Sequence, residues 1–289
     1  MRFSFAPVSL PHFSAARYLT VSKILKNYTE LPKRLVSFFA ALVLVVGCQG
    51  EYRTDLDYTH RIQQTWEIKE IEDALLTQFE QVVFEPDDSI SLREQISEAL
   101  IVEGRNVLEL ATGTGLLSVL SLRCDAKSVV ATDTNSVAVA NARYNAAVLA
   151  PGQKIDVRHV PAESKGAFGG IKEKERFDLI ICNSPWINGG STQTLTSGSL
   201  GKHFSWMDSL AAGLPDHLNP SGRCLITSRY RPAIEYLRSH CEEMGFSFQV
   251  LDDRTIDDLD EAFLPGLLVE IKVPTALLKG SAGGATLSE

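Results

Sequence analysis

Asn106-Val107-Leu108-Glu109-Leu110-Ala111-Thr112-Gly113-Thr114-Gly115 is an apolar run that carries one acid and ends in a small-residue turn, and residues 116–123 continue it as an apolar, helix-like segment. The order reads as a strand, a ligand-cradling loop and a helix start. A ligand can lie against main chain only where no side chain intervenes, and Gly113 and Gly115 remove two Cβ atoms at alternate positions. The helix that follows is expected to present its first free N–H groups to whatever the loop holds. A glycine-rich turn joins many strands to many helices, so this stretch gains its meaning from what lies downstream.

Ser128-Val129-Val130-Ala131-Thr132-Asp133 is a second apolar run, and its closing acid falls 20 residues beyond Gly113. A carboxylate there can accept both hydroxyls of a ribose. Asp133 could also cap a helix beginning near Asn135, and the two roles are compatible. Two cofactor classes compete at this point. Ser118 stands where the third glycine of G-x-G-x-x-G would fall, which weakens the case for a dinucleotide pyrophosphate. S-adenosylmethionine carries no phosphate and needs an acid and main-chain groups near its amino-acid end, together with a carboxylate for its ribose.

A third stretch, Phe177-Asp178-Leu179-Ile180-Ile181-Cys182-Asn183-Ser184-Pro185-Trp186, is a continuous apolar strand that breaks abruptly into a turn. The turn resembles the Asn-Pro-Pro-aromatic signature of the class I S-adenosylmethionine-dependent methyltransferases that modify planar amino groups. Residues 109–115 likewise resemble that superfamily's acidic-x-Gly-x-Gly-x-Gly loop, and Asp133 its ribose-binding acid. The resemblance covers residues 81–272 and extends to the small-domain group, which includes glutamine methyltransferases and ribosomal RNA guanine methyltransferases. It implies S-adenosylmethionine as cofactor, held by Glu109, Ala111, Thr112, Gly113, Gly115 and Asp133. It also implies Asn183, Ser184, Pro185 and Trp186 as the catalytic turn.

The chemistry wants those residue types. An amide or exocyclic amine nitrogen has a delocalised lone pair, so it is a poor nucleophile until two acceptors take its hydrogens and hold it in line with the methyl group. The Asn183 side-chain oxygen and the Ser184 carbonyl form such a pair. Trp186 would supply a flat wall for a planar target, and Pro185 would fix the turn. Three positions depart from the family's pattern. Ser184 replaces a proline, Ala111 replaces the first glycine of the loop, and Val160-Pro161-Ala162-Glu163 puts proline where an adenine-facing aspartate is common. Glu163 or the Ala162 main chain would have to take over that last task.

From residue 82 onward, strands and helices alternate. Strands are expected at 106–110, 128–132, 155–159, 177–182, 223–228, 246–251 and 266–273, and helices at 89–100, 116–123, 135–149, 203–218 and 231–244. This implies an α/β, Rossmann-like, doubly wound and mostly parallel seven-stranded sheet, with ligands beyond the carboxyl ends of its strands. Residues 51–100 are expected to form an N-terminal helical extension, because Ile62, Trp66, Ile68, Ile71, Leu75 and Phe79 are spaced roughly as on a helix. Residues 85–89 form a capping loop that offers Asp87 and Asp88 as further site candidates. The methyltransferase domain would span 101–275 and a flexible tail 276–289. The polar, glycine-rich stretch 189–201 suggests a mobile connection that could gate the substrate.

Residues 1–50 read as a signal-like or membrane-anchor segment. Residues 35–48 are a 14-residue apolar run behind Lys33 and Arg34, ending in Gly47-Cys48, and they resemble a lipoprotein signal with Cys48 as the lipidated residue. Val45 replaces the usual leucine, and the leader is long unless translation starts downstream. The expected localisation is membrane-associated, with cytoplasmic as the alternative, since the cofactor is a cytosolic metabolite. Cys124, Cys182, Cys224 and Cys241 form no C-x-x-C pair, so neither a metal site nor a disulfide framework is expected.

Residues 1–47 hold six Lys or Arg against one acid. That leaves 22 basic and 35 acidic residues of the chain's 28 and 36, a net of −13. An acidic domain gains little from phosphate contacts unless a basic patch, here Arg229, Arg231, Lys202 and His203, is gathered on one face. A protein glutamine or a small molecule is therefore favoured over nucleic acid as methyl acceptor. Two rival functions are an O- or C-methyltransferase of small molecules and a non-catalytic, membrane-tethered binding module on the same fold.

Overall fold

Residues 59–79 do not form a helix. They make an antiparallel hairpin of β1 (Ile62–Ile68) and β2 (Ile71–Phe79), so the extension ahead of the main domain is largely a β-ribbon. The helical expectation holds further on, in a 3₁₀ turn at Pro86–Ser89 and α1 (Ile90–Ser97). The apolar spacing fits a helix and a strand about equally, and partners far away in sequence decide between them. Asn141 takes the Phe79 N–H on its Oδ1 at 2.9 Å and donates Nδ2 to the Thr77 carbonyl. Asn145 takes the Thr77 N–H at 3.0 Å and donates to the same carbonyl. Two buried carboxamides thus bond the free edge of β2 as a neighbouring strand would, supplying partners its main chain would otherwise lack.

The computed structural model describes residues 56–161, 163–164, 166–184 and 197–279, the stretch 197–203 by its backbone alone. All of these fall in one unit, Asp55–Glu289. The signal-like segment with Cys48, the residues Ala162, Pro185 and Trp186, the loop residues 189–196 and the tail from 280 lie outside the described residues.

The main domain runs β3 (Asn106–Leu110), α2 (Leu116–Arg123), β4 (Ser128–Asp133), α3 (Ser136–Leu149), β5 (Ile155–His159) and β6 (Phe177–Asn183), then α4 (Ser197–His217), β7 (Leu218–Tyr230), α5 (Arg231–Glu243), β8 (Ser247–Val250) and β9 (Ala262–Lys272). The strands make one sheet in the order β5-β4-β3-β6-β7-β9-β8. It is parallel from β5 to β7, and β9 runs antiparallel to both of its neighbours. The chain winds outward from β3 in both directions, so a crevice opens beyond the carboxyl ends of β3 and β6. α4 begins at Ser197, ahead of the expected 203, so part of the glycine-rich stretch is helical backbone.

Strand alternation divides the core between the two faces. Leu108, Ile180, Cys224 and Ile226 pack with Met207, Leu210 and Leu214 of α4 and Ile234 and Leu237 of α5. Val107, Leu179, Ile181 and Leu225 pack with Leu116, Val119 and Leu120 of α2 and with Leu92 and Ile96 of α1. Period-2 alternation puts Glu109, Asn183 and Thr227 on this second face. The hairpin tip is tied down by Arg93 of α1, whose guanidinium donates to Glu70 at 2.7 Å, with both side chains buried. Cys182 and Cys224 are fully buried free thiols, as expected of small core residues. Among the described residues, no cluster of His, Cys, Asp and Glu could hold a metal ion, and no helix is long and apolar enough to cross a membrane.

Candidate active site

The loop between β3 and α2 turns through three positive φ angles: Ala111 at 54°, Gly113 at 55° and Gly115 at 80°. Gly115 is required twice over. Its conformation is left-handed, and a Cβ there would fall 2.7 Å from the Cα of Ala142 on α3. At Gly113 only the conformation matters, since a Cβ would meet nothing nearer than the Val83 carbonyl at 3.7 Å. Ala111 occupies the left-handed region as a non-glycine residue, a conformation that costs about 1–2 kcal/mol.

Glu109 is 2% exposed and serves as the inner post of the loop. Its Oε2 accepts from the Thr112 hydroxyl at 2.6 Å, from the Ser118 N–H at 3.1 Å, and from the Ser118 hydroxyl. The sequence suggested that the first N–H groups of α2 would be offered to a ligand, but the carboxylate of Glu109 takes the Ser118 N–H instead. Burial pushes the Glu109 carboxyl up to about 7, against the bonds from Ser118 and Thr112, and the nearby Asp133 adds to the rise. Asp133, at the end of β4, accepts the Gly113 N–H on Oδ2 at 2.9 Å and the Asn135 N–H on Oδ1 at 2.8 Å. Its carboxyl is also raised, chiefly by burial, with those backbone bonds opposing. The helix cap is a separate residue: Asn135 takes the Val137 N–H, leaving Asp133 facing the loop.

Asn183 and Ser184 sit where β6 ends, next to β7. The Thr227 hydroxyl donates to Asn183 Oδ1 at 2.8 Å, and the Ser184 N–H donates to the Thr227 carbonyl at 3.0 Å. A proline at 184 could not make the second bond. The Ser184 hydroxyl is buried without a hydrogen-bond partner.

These groups share one cavity of about 410 Å³, within the usual size range for small-ligand and cofactor sites. Of the expected site residues, Glu109, Ala111, Thr112, Gly113, Asp133, Asn183 and Ser184 all line it, and Gly115 shapes the turn behind it as the cap of α2. Glu163 is exposed and is not part of the lining, so the adenine-facing role suggested for it gains no support. Sequence reasoning missed a further wall, residues 81–84, which the hairpin delivers and Asn135 holds through the Gln81 carbonyl at 2.9 Å. No local motif marks those residues. Asp88 lines the cavity while Asp87 does not, and burial pushes the Asp88 carboxyl to about 6 although Arg229 lies 3.4 Å away. The suggested basic patch is not an open one: Arg229 pairs with Asp88 and Arg231 with Glu235. The side chains of Lys202 and His203 lie outside the described residues.

S-adenosylmethionine fits this donor set. It is cationic at its sulfonium and ammonium groups, and two acids, the buried Glu109 and the half-buried Asp133, line the cavity. A carboxylate offers about four acceptor positions, so Asp133 keeps room for two ribose hydroxyls beside its two backbone bonds. A pyrophosphate would meet those negative charges where α2 has already spent an N–H on Glu109.

The chain is similar to known methyltransferases. The family model for ribosomal protein L11 methyltransferase (PrmA) matches residues 90–184. A putative protein N5-glutamine methyltransferase of Methanocaldococcus jannaschii is 28% identical over 177 residues, 58% of this chain and 83% of the relative. A tRNA1(Val) (adenine(37)-N6)-methyltransferase of Vibrio vulnificus is 29% identical over 122 residues, 41% of this chain and 48% of the relative. The chain thus spans most of the first relative and about half of the second. Among solved structures, a putative S-adenosylmethionine-dependent methyltransferase from Streptococcus mutans superposes with a TM-score of 0.51 at 13% identity, covering 74% of this chain and 57% of that one, and shares the fold. The chain is a class I S-adenosylmethionine-dependent methyltransferase.

Proposed function

We propose that the enzyme methylates the nitrogen of a planar amide or amine, with a protein glutamine or a small molecule preferred over nucleic acid. One observation carries this reading: Asn183, at the end of β6, lines the same cavity as Glu109, the glycine loop and Asp133. In this proposal the Asp133 carboxylate holds the ribose and Glu109 faces the cationic amino-acid end of the cofactor. When bound, S-adenosylmethionine supplies an electrophilic methyl group on its sulfonium. Asn183 Oδ1 and the Ser184 carbonyl take the two hydrogens of the acceptor nitrogen, which aims its lone pair and keeps water out of that position. Pro185 and Trp186, the other two residues expected in the turn, lie outside the described residues. The net charge of −13 after residue 47 and the pairing of Arg229, the arginine that lines the cavity, with Asp88 favour an uncharged acceptor over a polyphosphate backbone.

The test is to incubate the enzyme with methyl-labelled S-adenosylmethionine and fractionated cell extract, then locate the methyl group by mass spectrometry. A methylated amide or amine nitrogen in a protein or small-molecule fraction is expected. Label on oxygen or carbon would refute N-methylation, and nuclease-sensitive label would refute the acceptor preference.

A further inference from the structure

Thr227 is fully buried on β7, and its Cα stands opposite that of Asn183 in the parallel β6–β7 register. Its two polar groups serve two successive residues of the catalytic turn. The hydroxyl bonds the Asn183 carboxamide at 2.8 Å, and the carbonyl takes the Ser184 N–H at 3.0 Å. The second bond exists because residue 184 is a serine with a backbone N–H, where the signature that this turn resembles has proline, which has none.

We infer that Thr227 is a positioning residue for methyl transfer, holding the plane of the Asn183 carboxamide and supplying, through two hydrogen bonds, the stiffness that a proline at 184 would otherwise give. The inference rests on the reading of Asn183 as the residue that holds the acceptor nitrogen.

The terminal torsion of an asparagine is broad and nearly two-fold, so a carboxamide at a cavity wall does not fix its own plane. A hydroxyl at 2.8 Å does so. Oδ1 has two lone pairs, and Thr227 occupies one while the other stays available to an acceptor N–H. The backbone bond extends the β6–β7 ladder one residue past Asn183, so the Ser184 carbonyl is anchored to the same strand as the side chain it works with.

Thr227→Val deletes the hydroxyl, keeps the shape and leaves the backbone carbonyl in place, whereas Thr227→Ser keeps the hydroxyl. The acceptor probe is the cell-extract fraction that the wild type labels. Turnover of Thr227→Val should fall about 10- to 100-fold with S-adenosylmethionine affinity unchanged, and Thr227→Ser should stay within about threefold of wild type. Independently of any acceptor, the Asn183 side-chain amide signal in nitrogen-15 NMR, identified by its loss in Asn183→Ala, should move in Thr227→Val and hold its place in Thr227→Ser. Undiminished turnover in Thr227→Val, equal losses in the two variants, or an unmoved Asn183 signal would overturn the inference. If the wild type labels no fraction at all, the proposed function fails, and the NMR comparison still decides whether Thr227 fixes Asn183.

Discussion

The Gly113 N–H donates to Asp133 Oδ2 at 2.9 Å, so the cofactor loop and the acid at the end of the neighbouring strand are a single hydrogen-bonded unit. Asp133→Ala should therefore lose the proposed ribose contact and loosen the loop together. The expected result is at least a tenfold weaker affinity for S-adenosylmethionine, about 1.4 kcal/mol, by calorimetry. Unchanged affinity would remove Asp133 from the site.

The elevated Glu109 carboxyl sets a pH dependence. Its folded value of about 7 lies above the unfolded carboxylate range, so in the window between them the native protein keeps a proton that the unfolded chain has lost. Stability from this group is greatest in acid and declines as pH rises toward 7. A bound cation favours the carboxylate, so cofactor affinity should increase over the same interval, with proton release measurable in buffers of different ionisation heat. Asp133 is raised too and adds to the same trend, so Glu109→Gln should reduce the slope without abolishing it. A slope of opposite sign would contradict the assignment of Glu109 to the cationic end.

Gly113 and Gly115 should respond differently to alanine. Gly113→Ala meets only a conformational cost of about 1–2 kcal/mol, as Ala111 already tolerates in the same loop. Gly115→Ala adds a backbone collision with Ala142 and should cost about 3 kcal/mol or more in thermal or denaturant unfolding. Equal losses would mean that the close approach of α3 to the loop is not rigid.

Asn145 bonds the Thr77 main chain and also donates to the Thr114 carbonyl at 2.8 Å, linking hairpin to cofactor loop. Asn145→Ala leaves buried main-chain groups without partners, at about 2–3 kcal/mol. Amide exchange at Thr77 should accelerate, and cofactor affinity should drop because the wall at residues 81–84 hangs from β2. Unchanged exchange at Thr77 would show that Asn145 does not protect the edge of β2.

The sheet was legible because each of its central strands is a short apolar run with a turn signal at its end, as in 106–110 and 177–183. That Glu109, Gly113, Asp133 and Asn183 line one cavity was legible for the same reason, each standing at or beside the carboxyl end of such a run. The hairpin was not, since the edge of β2 is satisfied by Asn141 and Asn145, some 60 to 70 residues away, and no local period records that. Thr227 was equally hidden. A threonine in a buried strand has no motif, and its role emerges only when β6 and β7 are laid side by side.

Asn183→Ala offers the most direct measurement of all: its rate of methyl transfer to the extract fraction labelled by the wild type, with cofactor binding followed in parallel. A loss of about a hundredfold or more with S-adenosylmethionine binding intact is the expected result. Undiminished transfer would contradict the assignment of Asn183 as the group that holds the acceptor nitrogen.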